Sequence, residues 1–130
     1  MEIVRRVLEA WNRRDPDLGR RYLALDVEWK PASPAVLEGA TYRGHEEVAE
    51  AVAALWKTWD VFRFEEAEVR DLDDSVVWLG HVHVKGSASL VELDQEFGVH
   101  SVVRDRMIAR AEAFLSWGEA LAAAGLGDRV

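Results

Sequence analysis

The second half of the chain places the strongest constraint on the fold. From about Val76 to Gly125 the pattern predicts a long strand, a second long strand, a tight turn at Arg104-Asp105-Arg106, a third strand and a short helix. Helices precede this run, so we expect an α+β fold in which an antiparallel sheet buries one face against helices. A strongly curved sheet capped in this way leaves a hollow, and small molecules bind in such hollows.

The first 75 residues supply the helices that would cover this sheet. The apolar residues of the first helix lie at helical spacing and form one stripe: Ile3, Val4, Val7, Leu8 and Trp11. The other predicted elements are a short second helix carrying Leu18, Tyr22 and Leu25, a strand over 26–30, a third helix after Gly44 and a strand over 61–71.

Composition fits one domain over residues 1–130 and excludes several functions. A net charge of −8 argues against nucleic acid and anionic membranes as partners, because both require a basic surface. The absence of cysteine excludes disulfides and thiolate sites. No apolar stretch reaches the roughly 18 residues of a membrane span. We therefore expect a cytoplasmic protein without a cofactor.

Each predicted strand has an apolar set and a more polar set of side chains. On the strand after Val76 these are Trp78, Gly80, Val82 and Val84 against Leu79, His81, His83 and Lys85. We assign the apolar set to the concave face, where small residues would leave space unfilled: Gly80, Ser101, Ala111 and Ala113. The outer set includes Val102 and Phe114, which predicts that a second copy of the chain covers it in a homodimer.

Five segments, in this order along the chain, carry a resemblance to a known family: AWNRRD, LDVEWKP, TYRGHEEV, DQEFGVHSVVRD and GEALAAAGL. With them the chain resembles a SnoaL-like domain of the nuclear transport factor 2-like superfamily. The resemblance implies a cone-shaped α+β barrel with a deep pocket, commonly a homodimer packed through the sheet. Polyketide cyclases, ketosteroid isomerase, epoxide hydrolases, dehydratases and non-catalytic binders share this fold, so the site must decide the function.

The polar groups of the enzyme relatives are missing at the matching positions. Ketosteroid isomerase uses an aspartate base, a tyrosine and a protonated aspartic acid, and the matching positions here are Lys30, Val7 and Val99. The acid that epoxide hydrolases need matches Ala113. The resemblance therefore implies the fold without these particular activities.

Glu28 and Lys30 are the candidate acid and base. They lie on one side of the strand over 26–30, and burial in a pocket would bring their pKa values toward the range suited to proton transfer. The alternative is that both are solvated at a sheet edge, with Val27 and Trp29 packed inside.

Three histidines form the most specific arrangement of polar residues in the sequence. His81 and His83 project from one face of their strand, and His100 lies on the same face of the next one. Three converging imidazoles would form a transition-metal site. The alternative is a polar or dimer-facing patch, which the neighbouring cations Lys85 and Arg104 favour over a metal site.

Six tryptophans in 130 residues indicate either an aromatic-lined pocket or a plain core. The predicted pocket residues are Trp11, Tyr22, Trp56, Trp59, Trp78, Val82, Val99, Ser101 and Ala113. We expect a small, largely apolar ligand, with proton transfer of the isomerase, cyclase or dehydratase type left open. The alternative is a non-catalytic ligand-binding or dimerisation module.

Overall fold

The computed structural model describes residues 2–32, 40–86 and 92–126, and within these ranges it contains four helices and six strands. The helices are α1 (Glu2–Asn12), α2 (Leu18–Tyr22), α3 (Gly44–Thr58) and α4 (Trp117–Ala123). The strands are β1 (Leu23–Lys30), β2 (Tyr42–Arg43), β3 (Trp59–Asp71), β4 (Ser75–Gly86), β5 (Glu92–Arg104) and β6 (Met107–Phe114). None of the described helices combines the length and apolar character needed to cross a bilayer.

The strands form one sheet in the order β2-β1-β6-β5-β4-β3. β1 and β6 run parallel, and the other neighbouring strands are antiparallel. Register shifts interrupt β1, β3 and the β5–β6 pair, and such irregularities bend a sheet. The α+β class, the curved and mainly antiparallel sheet, the N-terminal helices and the short C-terminal helix are thereby confirmed.

Helices α1 and α3 cover one side of the sheet, which we call the inner face and which carries Trp78, Val82 and Val99.

The end of α1 is fixed to β3 by polar contacts. The Trp11 indole N–H donates to the carbonyl of Phe62 at 3.1 Å. The Asn12 side chain bonds both the N–H and the carbonyl of Phe64, at 2.8 and 3.0 Å. Apolar burial therefore holds α1 on the sheet, and these bonds set its position along β3.

Helix α4 covers part of the opposite side, the outer face, which carries Val77 and Leu79. Both side chains are buried with Ala120, and Phe114 packs against the same cluster. We expected a second copy of the chain to cover Phe114, but α4 of the same chain does so. The correction follows from connectivity, because the chain turns back over the sheet directly after β6.

The turn predicted at Arg104-Asp105-Arg106 is confirmed. Asp105 and Arg106 have φ angles of 53° and 64°, so both central residues adopt the left-handed conformation. Two such residues define a two-residue hairpin turn whose twist matches the strands that it joins. The turn aligns β5 with β6 from the Arg104–Met107 pair onward.

The boundary between α2 and β1 differs from the prediction. We placed Leu25 on the second helix, but the extended segment begins at Leu23, which pairs with Ile108 of β6. Leu25 is 85% exposed and takes no part in the core. The parallel neighbour β6 draws these residues into the sheet, and the local sequence pattern does not show that neighbour.

Candidate functional site

A cavity of about 90 Å³ lies between the inner face and the two helices. The strands line it with Leu23, Val27, Trp29, Phe62, Phe64, Phe97, Val99, Ser101, Ile108, Ala111 and Ala113. The helices and the segment after β1 add Val4, Val7, Leu8, Trp11, Val48, Val52, Leu55, Pro31 and Ala32. None of these described lining residues is ionisable.

Aromatic rings form one wall of the cavity. Trp11 lies at the centre, with ring centroids 5.1 Å from Phe62, 5.5 Å from Phe64 and 6.1 Å from Trp29. Phe97 continues the wall at 5.0 Å from Phe64. Edge-to-face and tilted packing of this kind stabilises the group beyond simple burial, so the wall is preorganised.

Small side chains form the opposite wall, where β5 and β6 pair. Ser101 faces Ala111 and Val99 faces Ala113 across the two strands. Each pair therefore joins a residue of small or moderate size to an alanine, and the short side chains leave the space that the rings do not fill. This arrangement is the reason that an otherwise well-packed inner face contains a cavity.

Ser101 is the polar exception on this wall. It is 1% exposed and is the buried polar residue of the described chain. Within the described residues, the buried side-chain nitrogen and oxygen atoms without a hydrogen-bond partner are the indole nitrogens of Trp56 and Trp59. A buried polar group normally has a partner, because leaving it unpaired costs free energy.

The structure brings four of the predicted pocket residues together at the cavity: Trp11, Val99, Ser101 and Ala113. The other five lie elsewhere. Tyr22 and Trp59 are half-buried against the core without lining the cavity. Trp78 is 2% exposed, and its indole N–H donates to Glu66 at 3.2 Å. Val82 lines a smaller recess beside Phe62.

Trp56 packs on the far side of Trp11, at a centroid distance of 5.7 Å. It lines a second cavity of about 150 Å³ between α3 and the residues that follow α1. Asp15 and His45 also line this cavity, but both side chains are already bonded: Asp15 to the N–H of Asp17 at 2.9 Å, and His45 to the carbonyl of Leu23 at 2.7 Å.

Glu28 and Lys30 do not line the cavity. Val27 and Trp29 do, and alternate residues of a strand point to opposite sides. The Glu28 side chain is 41% exposed and pairs with Arg43 at 3.4 Å. This placement corresponds to the solvated alternative, and an acid–base role for the two residues stays a prediction.

The three histidines share the outer face but do not converge. His81 stands opposite Glu96 and His83 opposite Asp94, whereas His100 stands opposite Val77. Four residues of strand separate His100 from the position beside His81, or about 13 Å at the usual rise. Within the described residues no group of His, Cys, Asp or Glu side chains is arranged to hold a metal ion.

Each histidine instead has a local environment of its own. His83 contacts Glu65 at 3.0 Å and Asp94 at 3.5 Å, and His81 packs edge-on to Trp117. Burial is the main cause that lowers the pKa of His100. Glu112 raises it, Arg110 lowers it further, and Asp74 raises it.

One ion pair fixes the start of α1 over the inner face. Arg5 contacts both carboxylate oxygens of Glu66, at 2.8 and 2.9 Å. The Glu66 pKa is lowered first by this hydrogen bond, while partial burial opposes the shift and the Trp78 indole adds to it. The carboxylate therefore joins α1, β3 and β4 above the core.

The sequence analysis missed part of the aromatic wall. Phe62 and Phe64 were not singled out, although they alternate along a strand that was predicted. Their period of two was the available signal, since both occupy the face opposite Arg63. Trp29 was considered only as the buried alternative to Glu28 and Lys30.

The sequence profile of the SnoaL-like domain family matches residues 4–111. The chain belongs to this family. The match extends from α1 into β6 and so includes most of the elements that line the cavity. No curated protein sequence matches the chain.

Solved structures with the same fold cover nearly the whole chain. A nuclear transport factor 2-like protein of unknown function from Burkholderia pseudomallei is 26% identical, with a TM-score of 0.79 and 94% of each chain covered. A protein of ketosteroid isomerase-like fold from Catenulispora acidiphila, in complex with trimethylamine, is 18% identical, with a TM-score of 0.79 and coverage of 96% and 93%. TerC, co-crystallised with polyporic acid, is 23% identical, with a TM-score of 0.77 and coverage of 96% and 95%.

Proposed function

We propose that this protein binds a small, largely apolar molecule in the cavity between its inner face and helices α1 and α3. The observation that carries the proposal is the chemistry of the cavity wall. It consists of aromatic rings on one side and short side chains on the other, with no ionisable group among the described lining residues. Such a wall favours apolar ligands, because binding removes their surface from water.

The same wall favours binding over proton transfer. General acid–base catalysis needs a titratable side chain within hydrogen-bond reach of the reacting atom. The nearest candidates from the sequence, Glu28 and Lys30, lie off the cavity wall. Trimethylamine and polyporic acid are found with proteins of similar fold, and both belong in a panel of test compounds.

The test is to fill the cavity and measure the loss of binding. Benzene is the probe, and binding is followed by the NMR shifts of the Val, Leu and Ile methyl groups. Ala113→Leu places a larger side chain on the small-residue wall, and we expect it to weaken benzene binding at least tenfold. Ala122→Leu makes the same change at an exposed position of α4 and should leave binding unchanged.

Two results would contradict the proposal. One is a wild-type protein whose methyl shifts do not respond to benzene up to its solubility. The other is equal binding by the two leucine variants, which would place the benzene site outside this cavity.

We also propose a homodimer that packs through the part of the outer face left open by α4, and a cytoplasmic location. Val102 supports the dimer, since it is a half-buried apolar residue of that face. Light scattering of the purified protein tests it, and a monomeric mass at micromolar concentration would exclude a stable dimer.

A further inference from the structure

We infer that the second cavity, between α3 and the residues that follow α1, is a separate binding site for a small organic ammonium ion. The Asp15 carboxylate binds the charged group, and the apolar part of the ligand lies against Trp56 and α3. This inference goes beyond the proposed function, because it concerns a different cavity and a ligand of different charge. Its test is therefore independent of benzene binding at the inner face.

One face of α3 forms the floor of the second cavity. The lining residues repeat at intervals of three and four along the helix, the spacing that places side chains on one face: His45, Val48, Ala49, Val52, Ala53 and Trp56. Asp15 and Pro16 of the segment between α1 and α2, with Leu23 of β1, complete the wall. The volume of about 150 Å³ is that of an engineered cavity that binds benzene, so one ring-sized molecule fits.

Asp15 gives this cavity a charge that the described lining residues of the inner cavity lack. Its side chain is 23% exposed, so the carboxylate is largely removed from water. One oxygen accepts from the Asp17 N–H at 2.9 Å, and the other contacts the Arg21 guanidinium at 3.3 Å. A carboxylate accepts up to about four hydrogen bonds, so it can bind an ammonium group in addition.

The contact with Arg21 leaves most of the attraction of Asp15 available to a ligand. The Arg21 side chain is 56% exposed, and such surface pairs contribute little free energy because water screens them. An ammonium ion inside the cavity lies between protein groups, so its attraction to the carboxylate is screened less. The net charge of −8 also favours a cation over an anion as it approaches the protein.

His45 and Trp56 add two contacts of the kind that an ammonium ion makes. The His45 Nε2 lies 2.7 Å from the carbonyl of Leu23, and because a carbonyl only accepts, this nitrogen donates. In the neutral imidazole Nδ1 is therefore an acceptor. The Trp56 indole nitrogen is itself buried, so the carbon surface of the ring faces the cavity, and aromatic surfaces of this kind attract cations.

The experiment compares cyclohexylamine with cyclohexanol, which share one ring and differ in charge. At pH 7 the amine is protonated, because alkylamines titrate near the lysine value of about 10.4. Binding is followed by the NMR signals of the Ala49 and Ala53 methyl groups, since both residues line the second cavity and not the inner one. We expect the wild type to bind the ammonium ion roughly 3-fold to 10-fold more tightly than the alcohol, the effect of one charge-assisted contact at a partly exposed site.

Asp15→Asn removes the charge and keeps an oxygen that can accept from the Asp17 N–H, so the local turn is preserved. We expect the affinity for cyclohexylamine to fall roughly 3-fold to 10-fold and that for cyclohexanol to change less than about twofold. Asp26→Asn is the matched control. Asp26 also pairs with an arginine, Arg104, but it does not line the cavity, and its removal should leave the ratio of the two affinities unchanged.

A second pair of variants locates the site. Ala53→Leu places a larger side chain on the floor of the second cavity and should weaken both probes by about fivefold or more. Ala54→Leu makes the same change at the next position of α3, which is exposed and does not line the cavity, and should bind both probes as the wild type does. Benzene binding at the inner face should be the same in both variants.

The outcomes separate this inference from the proposed function. A wild type that binds the amine no more tightly than the alcohol, or a ratio that Asp15→Asn leaves unchanged, would rule out Asp15 as the counter-charge. Equal binding by Ala53→Leu and Ala54→Leu would place the amine outside the second cavity. Tighter binding of cyclohexanecarboxylate than of cyclohexylamine would overturn the assignment to cations. A failure of benzene to bind would contradict the proposed function alone.

Discussion

The two faces of the sheet are made by the same strands but differ in what covers them. On β4 and β5 the inner residues Trp78, Val82 and Val99 lie under α1 and α3, and a cavity remains among them. The outer residues include His81 and His83, which contact charged or aromatic neighbours near the surface. The alternation of side chains along each strand gives the sheet two chemically different faces, and the ligand cavity forms on the face that α1 and α3 cover.

Helices α1 and α4, which cover the inner and the outer face, differ in the contacts that hold them on the sheet. Helix α1 is held at its start by the Arg5–Glu66 pair and at its end by Trp11 and Asn12, so it spans the cavity. Helix α4 has seven residues and packs directly on Val77 and Leu79. The short side chains of β5 and β6 leave a cavity under α1 and α3, whereas the outer face is closed where Ala120 of α4 is buried against Val77 and Leu79.

The largest expected effect comes from placing a charge on each face of the same strand. Val99→Asp puts an unpaired carboxylate against the cavity wall, and we expect it to lower the free energy of unfolding by about 3 kcal/mol or more. Val102→Asp places the carboxylate on the outer face beside Arg110, and it should cost less than about 1 kcal/mol when measured at a protein concentration low enough to keep the chain monomeric. Urea denaturation measures both values. Equal losses would mean that the two faces are equally buried.

A smaller effect is expected from a matched pair of glycine substitutions at α4. A methyl group on Gly98 would lie 2.6 Å from the Ala120 side chain and 3.3 Å from Leu79, so Gly98→Ala must push α4 off the outer face. We expect a loss of about 1–3 kcal/mol in unfolding free energy.

Gly118→Ala is its control within α4, where the nearest atom is the Ser116 hydroxyl oxygen at 4.0 Å. It should be neutral or stabilise by up to about 1 kcal/mol, because alanine favours helix. Benzene binding in the cavity should survive both changes. If Gly98→Ala were as stable as the wild type, close docking of α4 on β5 would be contradicted.

The ion pair of α1 should make a still smaller and pH-dependent contribution. Glu66→Gln should lower the unfolding free energy at pH 7 by about 0.5–1 kcal/mol, a figure reduced for the partial exposure of the pair. The folded pKa of Glu66 lies below its ordinary value of 4.5, so the contribution is complete above that pH and lost as the pH falls through the folded pKa.

Glu68→Gln is the matched control, because the ion pair that Glu68 makes within the described residues is with Arg70 of its own strand. Its effect should be below about 0.5 kcal/mol. Urea denaturation at pH 7 and at pH values below 4.5 separates the two variants. A Glu66→Gln deficit that is unchanged at low pH would show that charge is not its cause.

The smallest expected effect concerns the two candidate catalytic residues. Glu28→Gln and Lys30→Met should leave the affinity for benzene within twofold of the wild type, because neither side chain lines the cavity. The same NMR titration measures this. If either variant lost more than fivefold in affinity, Glu28 or Lys30 would contact the ligand. The acid–base hypothesis would then be supported.

Much of the cavity wall could be predicted from alternation along single strands. The inner positions of Val99, Ser101, Ala111 and Ala113 follow from period two together with the burial of apolar residues. The aromatic residues were harder to assign, because a tryptophan at a buried position serves equally as core or as cavity wall. Trp56, Trp59 and Trp78 belong to the core around the cavity, and no local pattern separates them from Trp11.

The sequence by itself determined the order of the elements, the two chemistries of the sheet and the turn between β5 and β6, because these depend on neighbours within a few residues. Tertiary structure decided which alternative holds at β1. The parallel pairing of Trp29 with Ala111 sets Val27 and Trp29 against the cavity, and Glu28 is left toward solvent. It also decided that α4 covers Phe114. Both outcomes depend on contacts between distant segments, which a pattern of residue types along the chain does not contain.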